Sequence, residues 1–278
     1  MRSSTKDMET TTQHNVEILE NRQFWEKKPL LRMVYAQFYR EIAHRVNPAV
    51  PGLIVELGSG MGNIKEHIPQ CVTTDIFPNP WLDRVENAYH LSFNQGAIGH
   101  LILFDVWHHL KYPGTALSEF SRVLAPGGKI IIFEPAMGHI GRFVFGRFHH
   151  EPLGLEERIE WYAPKGFSGY DPAYYAAQGN ASRVFGSADF VNELSLWRIS
   201  EVAYYSGLAY VASGGFRGPQ LYPKAFWPLL NRMDSMLSRY PSLASRMLIV
   251  LEEEKSFQSR LIEQNWSTRS APPKSPRL

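Results

Sequence analysis

The sequence has one cysteine, little net charge and no long apolar run. Because Cys71 is alone among 278 residues, no internal disulfide can form, and we expect a cytoplasmic protein. A net charge of +2 without a basic stripe does not favour nucleic acid as a partner. No stretch approaches the roughly 18 apolar residues of a membrane span, and the N-terminus lacks the apolar core of a secretory signal.

Length and composition suit one large α/β domain. Hydrophobic residues make up 44% of the chain and charged residues 20%, which is ordinary for a globular protein with a sizeable core. Residues 1–20 and 267–278 lack periodicity and are predicted to be disordered tails. The domain then extends over residues 21–266, and its Gly-, Pro- and aromatic-rich segment at about 136–190 is predicted to be a substrate-covering lid insertion.

Short apolar runs alternate with helical patterns along the domain. Seven strands are predicted, at 53–55, 71–74, 101–104, 129–133, 199–206, 209–214 and 247–251. The first four runs are continuously apolar, as expected for parallel strands covered on both faces, and the last strand suits an antiparallel edge. Three- and four-residue apolar spacing predicts helices at 24–46, 115–124 and 223–240.

A glycine-rich turn follows the first predicted strand, in the segment Glu56-Leu57-Gly58-Ser59-Gly60-Met61-Gly62. Such a turn lets a ligand approach the backbone closely, although a ligand-free strand-to-helix turn can show the same pattern. The spacing is not the Gly-x-Gly-x-x-Gly of dinucleotide sites, and Glu56 would repel a pyrophosphate. S-adenosylmethionine carries a sulfonium and an ammonium and no phosphate, so an acidic strand end favours it.

Asp75 ends the second predicted strand, 19 residues after Glu56. At that distance the second strand of a nucleoside-binding fold delivers a carboxylate that can accept hydrogen bonds from both ribose hydroxyls. A helix cap or a solvated strand end is the alternative interpretation of Asp75.

Residues 50–137 resemble the class I S-adenosylmethionine-dependent methyltransferases, specifically the type 11 small-molecule group. Five segments in family order carry the resemblance: 55–62, 74–76, 87–88 with 91–93, 106–110, and 122–128. The resemblance implies a Rossmann-like, mainly parallel seven-stranded sheet and S-adenosylmethionine as cofactor. It assigns cofactor contacts to Glu56, Gly58, Ser59, Gly60, Asp75, Ile76, Asn87, Ala88, Phe104 and Asp105.

The cofactor contacts divide by the part of the ligand that they would meet. Glu56 and its glycines would face the methionine part, Asp75 the ribose, and Ile76 with Asn87 and Ala88 the adenine. Four residues depart from the family pattern: Asn87 replaces an aspartate, Ser92 replaces a proline, and Phe104 and Asp105 replace small polar residues. An amide oxygen at Asn87 can still accept from the adenine amino group.

Methyl transfer needs a well-placed acceptor more than a catalytic residue, but a hydroxyl acceptor gains from a general base. The candidates are His108, His109, His149, His150 and Glu134, for which capping, packing or loop orientation are the structural alternatives. No metal is expected, because adjacent histidines lack the helical spacing of a zinc motif and no cysteine supports them.

We therefore expect a methyltransferase that acts on a small or lipid-like acceptor, at oxygen rather than carbon or nitrogen. Phe143 and Phe148 beside Arg142 and Arg147 predict an amphipathic lid helix, which could roof an apolar substrate or touch a membrane surface. A catalytically silent binding module and a nicotinamide-dependent oxidoreductase are the alternatives. Acceptor identity and oligomeric state stay open.

Overall fold

The computed structural model describes residues 15–16, 18–168 and 174–254. Most of the two predicted tails, 1–20 and 267–278, lies outside these residues. Residues 15–16 and 18–27 are helical, so ordered chain begins before the predicted boundary at residue 21. Ile18 and Trp25 are buried in this helical segment, because the segment packs its apolar side against the domain.

One sheet of seven strands forms the centre of the described chain, in the order β3-β2-β1-β4-β5-β7-β6. The strands are β1 (Leu53–Leu57), β2 (Val72–Asp75), β3 (Arg84–Val85), β4 (Ile98–Phe104), β5 (Leu124–Pro135), β6 (Trp197–Tyr205) and β7 (Arg246–Glu253). β1 pairs in parallel with β2 and β4, and β7 is antiparallel to both β5 and β6. The predicted Rossmann-like sheet is confirmed, with its antiparallel strand one place inside the edge.

Besides the helical residues 15–16 and 18–27, the described chain has six α-helices: α1 (Pro29–Ala43), α2 (Pro113–Val123), α3 (His139–Phe148), α4 (Asn180–Phe185), α5 (Leu208–Ala212) and α6 (Trp227–Leu237). α1 buries the predicted apolar face on one side of the sheet, where Phe38 contacts Phe104 and Phe133. α2 covers the other side with Leu117 and Phe120. Apolar cores on both faces explain why the central strands are continuously apolar.

The strand predicted at 209–214 is wrong, because these residues lie in and just after helix α5. Gly207 adopts a left-handed φ of 64° that turns the chain out of β6. The Asp234 carboxylate from α6 then accepts the backbone N–H of Leu208 at 2.7 Å and of Ala209 at 3.0 Å. A distant side chain therefore supplies the helix start, which no local pattern could reveal. The seventh strand is instead the two-residue β3, which the sequence did not predict.

The connections at the carboxyl edge of the parallel strands position the site. Between β1 and β2 the chain makes only a short 3₁₀ helix, Asn63–Glu66, after the glycine turn. Residues 136–190 connect β5 to β6 and contain α3 and α4. Tyr170 of this segment lies outside the described residues. Among the described helices, none is long and apolar enough to cross a membrane.

Candidate active site

The glycine turn after β1 needs glycine for two different reasons. Gly58, Gly60 and Gly62 have left-handed φ values of 63°, 51° and 73°, which L-residues with side chains rarely adopt. A Cβ at Gly58 would lie 2.5 Å from Val106 Cγ2, whereas a Cβ at Gly60 would have no neighbour within 4 Å. The turn is therefore packed against the loop after β4 at Gly58 and open for a ligand at Gly60.

Glu56, the last but one residue of β1, carries a buried carboxylate. Glu56 is 1% exposed, and its Oε2 has no hydrogen-bond partner among the described residues. Burial raises the pKa of Glu56 to about 8, since a buried negative charge is costly without a partner. A cationic ligand beside this oxygen would satisfy it, so Glu56 fits the ammonium or sulfonium of S-adenosylmethionine and not a phosphate.

Asp75 is held at the end of β2 by two backbone donors. Its Oδ2 accepts the N–H of Gly60 at 3.3 Å, and Oδ1 accepts the N–H of Ile76 at 2.7 Å. The Ser59 hydroxyl links the same two strands, because it accepts the Thr74 N–H at 3.0 Å. The structure thus brings the Asp75 carboxylate to the glycine turn, beside the backbone of Gly60.

The predicted adenine contacts lie along the chain after β2. Ile76 is 39% exposed, which leaves its side chain accessible to a flat ring. Asn87 Oδ1 accepts the N–H of Tyr89 at 3.0 Å, and Ala88 packs against the core. Trp81, which the sequence did not single out, donates from Nε1 to the Gly60 carbonyl at 2.8 Å and so lies beside the turn.

Phe104 and Asp105, at the end of β4, have partners within the protein. Phe104 is buried and stacks on Tyr35 with ring centroids 5.4 Å apart. Asp105 has a positive φ of 55° and forms a short ion pair with the buried Arg246. Both residues therefore connect the end of β4 to the aromatic core, and Asp105 faces an internal cation.

Glu134, fully buried at the end of β5, holds the loop that follows β4. Its Oε1 accepts the N–H of Val106 at 2.7 Å and of Trp107 at 2.6 Å, while Oε2 lies 2.7 Å from His108 Nδ1. Burial alone would lower the pKa of His108, but the Glu134 charge and hydrogen bond raise it. Both oxygens of Glu134 are engaged, so it orients the loop and the imidazole.

His109 is oriented differently from its neighbour. Its Nδ1 lies 2.9 Å from the carbonyl oxygen of Tyr175. Because this oxygen can only accept a hydrogen bond, Nδ1 carries the hydrogen and Nε2 the lone pair. Burial, followed by the nearby His108, lowers the pKa of His109. The neutral imidazole is favoured, with its basic nitrogen directed away from Tyr175.

Glu151, at the start of the loop after α3, meets both imidazoles. Its Oε2 lies 3.4 Å from His108 Nε2 and its Oε1 3.7 Å from His109 Nε2. His149 Nδ1 accepts the Glu151 N–H at 3.3 Å, and His150 stacks on His149 with centroids 4.8 Å apart. Burial alone would raise the pKa of Glu151, but hydrogen bonds from His108 and Tyr174 lower it.

These groups open into one cleft of about 210 Å³. Part of its polar lining is the histidine cluster, which we define as His108, His109, His149 and Glu151. Its apolar lining includes Tyr35, Phe145, Tyr210 and Phe216. Because residues 105–109 both contact the glycine turn through Val106 and line the cleft, the predicted cofactor and acceptor sites share one loop.

Comparison with known proteins gives one family match and a shared fold. The family model of the methyltransferase domain, type 11, matches residues 55–132. A SAM-dependent methyltransferase from Thermotoga maritima superposes with a TM-score of 0.51 at 12% identity, covering 86% of this chain and 99% of that one. No curated protein matches the sequence.

Two further structures are more distant in TM-score. The complex of the Haloferax volcanii Trm112 methyltransferase activator with a methyltransferase gives 0.47 at 14% identity, over 86% of this chain and 94% of that chain. Geranyl diphosphate C-methyltransferase from Streptomyces coelicolor gives 0.43 at 11% identity, over 80% of each chain.

The family match and the fold describe the same part of the chain. Residues 55–132 match the type 11 methyltransferase domain, and the Thermotoga maritima methyltransferase shares the overall fold. S-adenosylmethionine is the cofactor that this domain indicates.

Sequence reasoning missed the residues that complete the cleft from a distance. Glu151, Gln178 and Arg246 were not singled out, because charged and amide residues in a loop or at a strand end carry no local signal of a shared site. His150 is the sequence candidate that lies farthest out, since it is exposed and stacks only on His149 among the described contacts.

Proposed function

We propose that the protein transfers a methyl group from S-adenosylmethionine to a hydroxyl oxygen of a small or lipid-like acceptor. The observation that carries this proposal is the histidine cluster in a cleft next to the glycine turn. His109 is favoured in its neutral form with the lone pair on Nε2, and a neutral imidazole can accept the proton of a hydroxyl acceptor.

Cofactor binding is assigned to the turn and to the two strand ends beside it. Glu56 would pair with the cationic methionine end, the open Gly60 would admit the ligand against the backbone, and Asp75 would accept from the ribose hydroxyls. When bound, the cofactor supplies a methyl carbon that the adjacent sulfonium makes electrophilic. Ile76, Asn87 and Ala88 would meet the adenine, as the family resemblance implies.

The acceptor would enter the cleft and lie between the histidine cluster and the cofactor. Its oxygen forms the new bond to the methyl carbon, the carbon–sulfur bond breaks, and the hydroxyl proton passes to His109 Nε2. Glu134 takes no proton, because it already accepts two backbone N–H groups and the His108 ring. It acts as a positioning residue for the loop at 106–108.

An apolar or ring-bearing acceptor is supported by the wall of Tyr35, Phe145, Tyr210 and Phe216. α3, which contributes Phe145, also carries Phe143 and Phe148 with exposures of 65% and 71%. Its contact with a membrane surface stays a prediction, as does the lid role of residues 136–190.

Calorimetry with S-adenosylhomocysteine tests the cofactor assignment. We expect binding by the full chain and a loss of at least about tenfold in affinity for Asp75→Ala, because two ribose hydrogen bonds are removed. Asp189→Ala, at an exposed aspartate outside the site, is the matched control and should bind normally. Absence of binding in the wild type would overturn the proposal.

Turnover on acceptor panels tests the chemistry. Hydroxyl, amine and thiol compounds with an aromatic or alkyl body would be incubated with S-adenosylmethionine, and the methylated atom located by NMR. We expect O-methyl products and a His109→Gln variant with lower kcat at unchanged cofactor affinity. Methylation only at nitrogen or carbon would contradict the oxygen assignment. Cofactor binding without turnover on any acceptor would favour a methyltransferase-like binding module.

A further inference from the structure

We propose that His108, His109 and Glu151 bind a divalent transition-metal ion at the rim of the acceptor cleft. One ligand atom from each of these residues lies within 4.8 Å of the other two. The sequence did not predict a metal, because two adjacent histidines and a glutamate 42 residues later match no spacing motif. The fold brings them together through the loop after β4 and the loop after α3.

The separations of the ligand atoms suit a small coordination shell. His108 Nε2 lies 3.4 Å from Glu151 Oε2, and His109 Nε2 lies 3.7 Å from Glu151 Oε1. In a tetrahedral zinc site with bonds of about 2.0–2.1 Å, neighbouring ligand atoms are about 3.3 Å apart. Each of these two separations is within a few tenths of an ångström of that spacing, and Glu151 meets the two rings through different carboxylate oxygens.

Both imidazoles are already oriented as metal ligands are. His108 Nδ1 is 2.7 Å from the Glu134 carboxylate, and His109 Nδ1 is 2.9 Å from the Tyr175 carbonyl. A carboxylate or carbonyl on one ring nitrogen fixes the tautomer and turns the other nitrogen toward the metal. These contacts leave Nε2 of each ring toward the third ligand, Glu151.

The negative charges around His108 also favour a bound cation. Carboxylates flank the ring on both sides, with Glu134 at Nδ1 and Glu151 near Nε2, and all three side chains are at least nine-tenths buried. Glu151 further accepts short hydrogen bonds from Tyr174 and from Gln178, whose Nε2 is 3.3 Å from His108 Nε2. A divalent ion or a proton on His108 could compensate the two negative charges, and the experiment below separates them.

The donor set selects the kind of ion. Two imidazole nitrogens and one carboxylate suit zinc or ferrous iron, whereas magnesium and calcium prefer oxygen ligands alone. Three protein ligands leave at least one coordination position open, and all three residues line the cleft. One consequence rests on the proposed function: a hydroxyl bound at the open position would lose its proton more readily, so the ion would replace His109 as the source of alkoxide.

Metal titration of the full chain tests the site without any turnover assay. Protein freed of metal by chelation would be titrated with zinc chloride in a calorimeter and its metal content measured by mass spectrometry. We expect one ion per chain, and at least about tenfold weaker binding for Glu151→Gln and for His109→Gln. His44→Ala, at an exposed histidine outside the cleft, should bind like the wild type. Cobalt in place of zinc should give visible absorption bands that both site variants lose.

Absence of zinc binding, or binding that neither site variant weakens, would overturn the proposal. If zinc does not bind, a proton on His108, and not a metal ion, compensates the charges of Glu134 and Glu151. Because Glu151→Gln preserves shape, its fold can be checked by S-adenosylhomocysteine binding, which should be unchanged. Failure of the metal site would therefore leave cofactor binding intact, and failure of cofactor binding would leave the zinc titration interpretable.

Discussion

Glu56 makes cofactor affinity depend on pH in a way that the structure quantifies. Burial raises the pKa of the ligand-free Glu56 carboxyl to about 8, so at pH 6 almost all of it is protonated. A cationic ligand needs the ionised form, and an opposite charge at contact lowers a carboxyl pKa by about 1–3 units. Binding is then coupled to loss of one proton from Glu56.

The size of the effect follows from these two pKa values. If the cation lowers the free pKa of about 8 by about two to three units, to about 5–6, proton linkage strengthens binding about fivefold to eightfold between pH 6 and pH 7. The affinity rises with pH, because Glu56 must lose its proton to pair with the cation and loses it more readily at higher pH. The ligand's own ammonium stays mainly charged over this interval, because its reference pKa is about 7.7–8.0.

Calorimetric titration with S-adenosylhomocysteine at pH 6.0, 6.5 and 7.0 measures this dependence. The Glu56→Gln variant, which has no proton to lose, should bind with an affinity that hardly changes over the same range. Repeating the wild-type titration in two buffers of different ionisation enthalpy should reveal nearly one proton released at pH 7. A wild-type affinity that is flat, or that falls with rising pH, would refute the pairing of Glu56 with the cationic end of the cofactor.

Four substitutions test the architecture around the site, each by urea denaturation. Gly58→Ala should cost about 1–3 kcal/mol, because its Cβ would meet Val106 at 2.5 Å, whereas Gly60→Ala should cost only about 1 kcal/mol of backbone strain but weaken cofactor binding. Equal costs for the two would contradict the packing argument. Glu134→Gln should lower the free energy of unfolding by about 1–3 kcal/mol, since its amide N–H group would face a buried N–H donor. An unchanged free energy of unfolding would show that the loop needs no carboxylate. Asp234→Ala should lower the free energy of unfolding by about 1 kcal/mol, because the N–H groups at the start of α5 lose their acceptor. An unchanged urea midpoint would exclude that capping role.

The nature of the fold was readable from local chemistry. Continuous apolar runs predicted β1, β2, β4 and β5, because strands covered on both faces need no polar alternation. Glu56, the glycines and Asp75 could be singled out from local sequence, because a glycine turn, a strand end and a carboxylate are properties of single residues and their spacing. The family match over residues 55–132 covers this locally determined part of the chain.

Only the tertiary structure decided which distant groups meet. The 209–214 segment is helical because Asp234, far along the chain, accepts its N–H groups, and Asp105 faces Arg246 because β7 returns beside β5. Glu134 became a support rather than a base once Val106, Trp107 and His108 occupied its oxygens. The histidine cluster likewise depends on a loop that brings Glu151 to the end of β4. Spacing along the chain carries no information about such contacts, since they are set by how the connections fold back over the sheet.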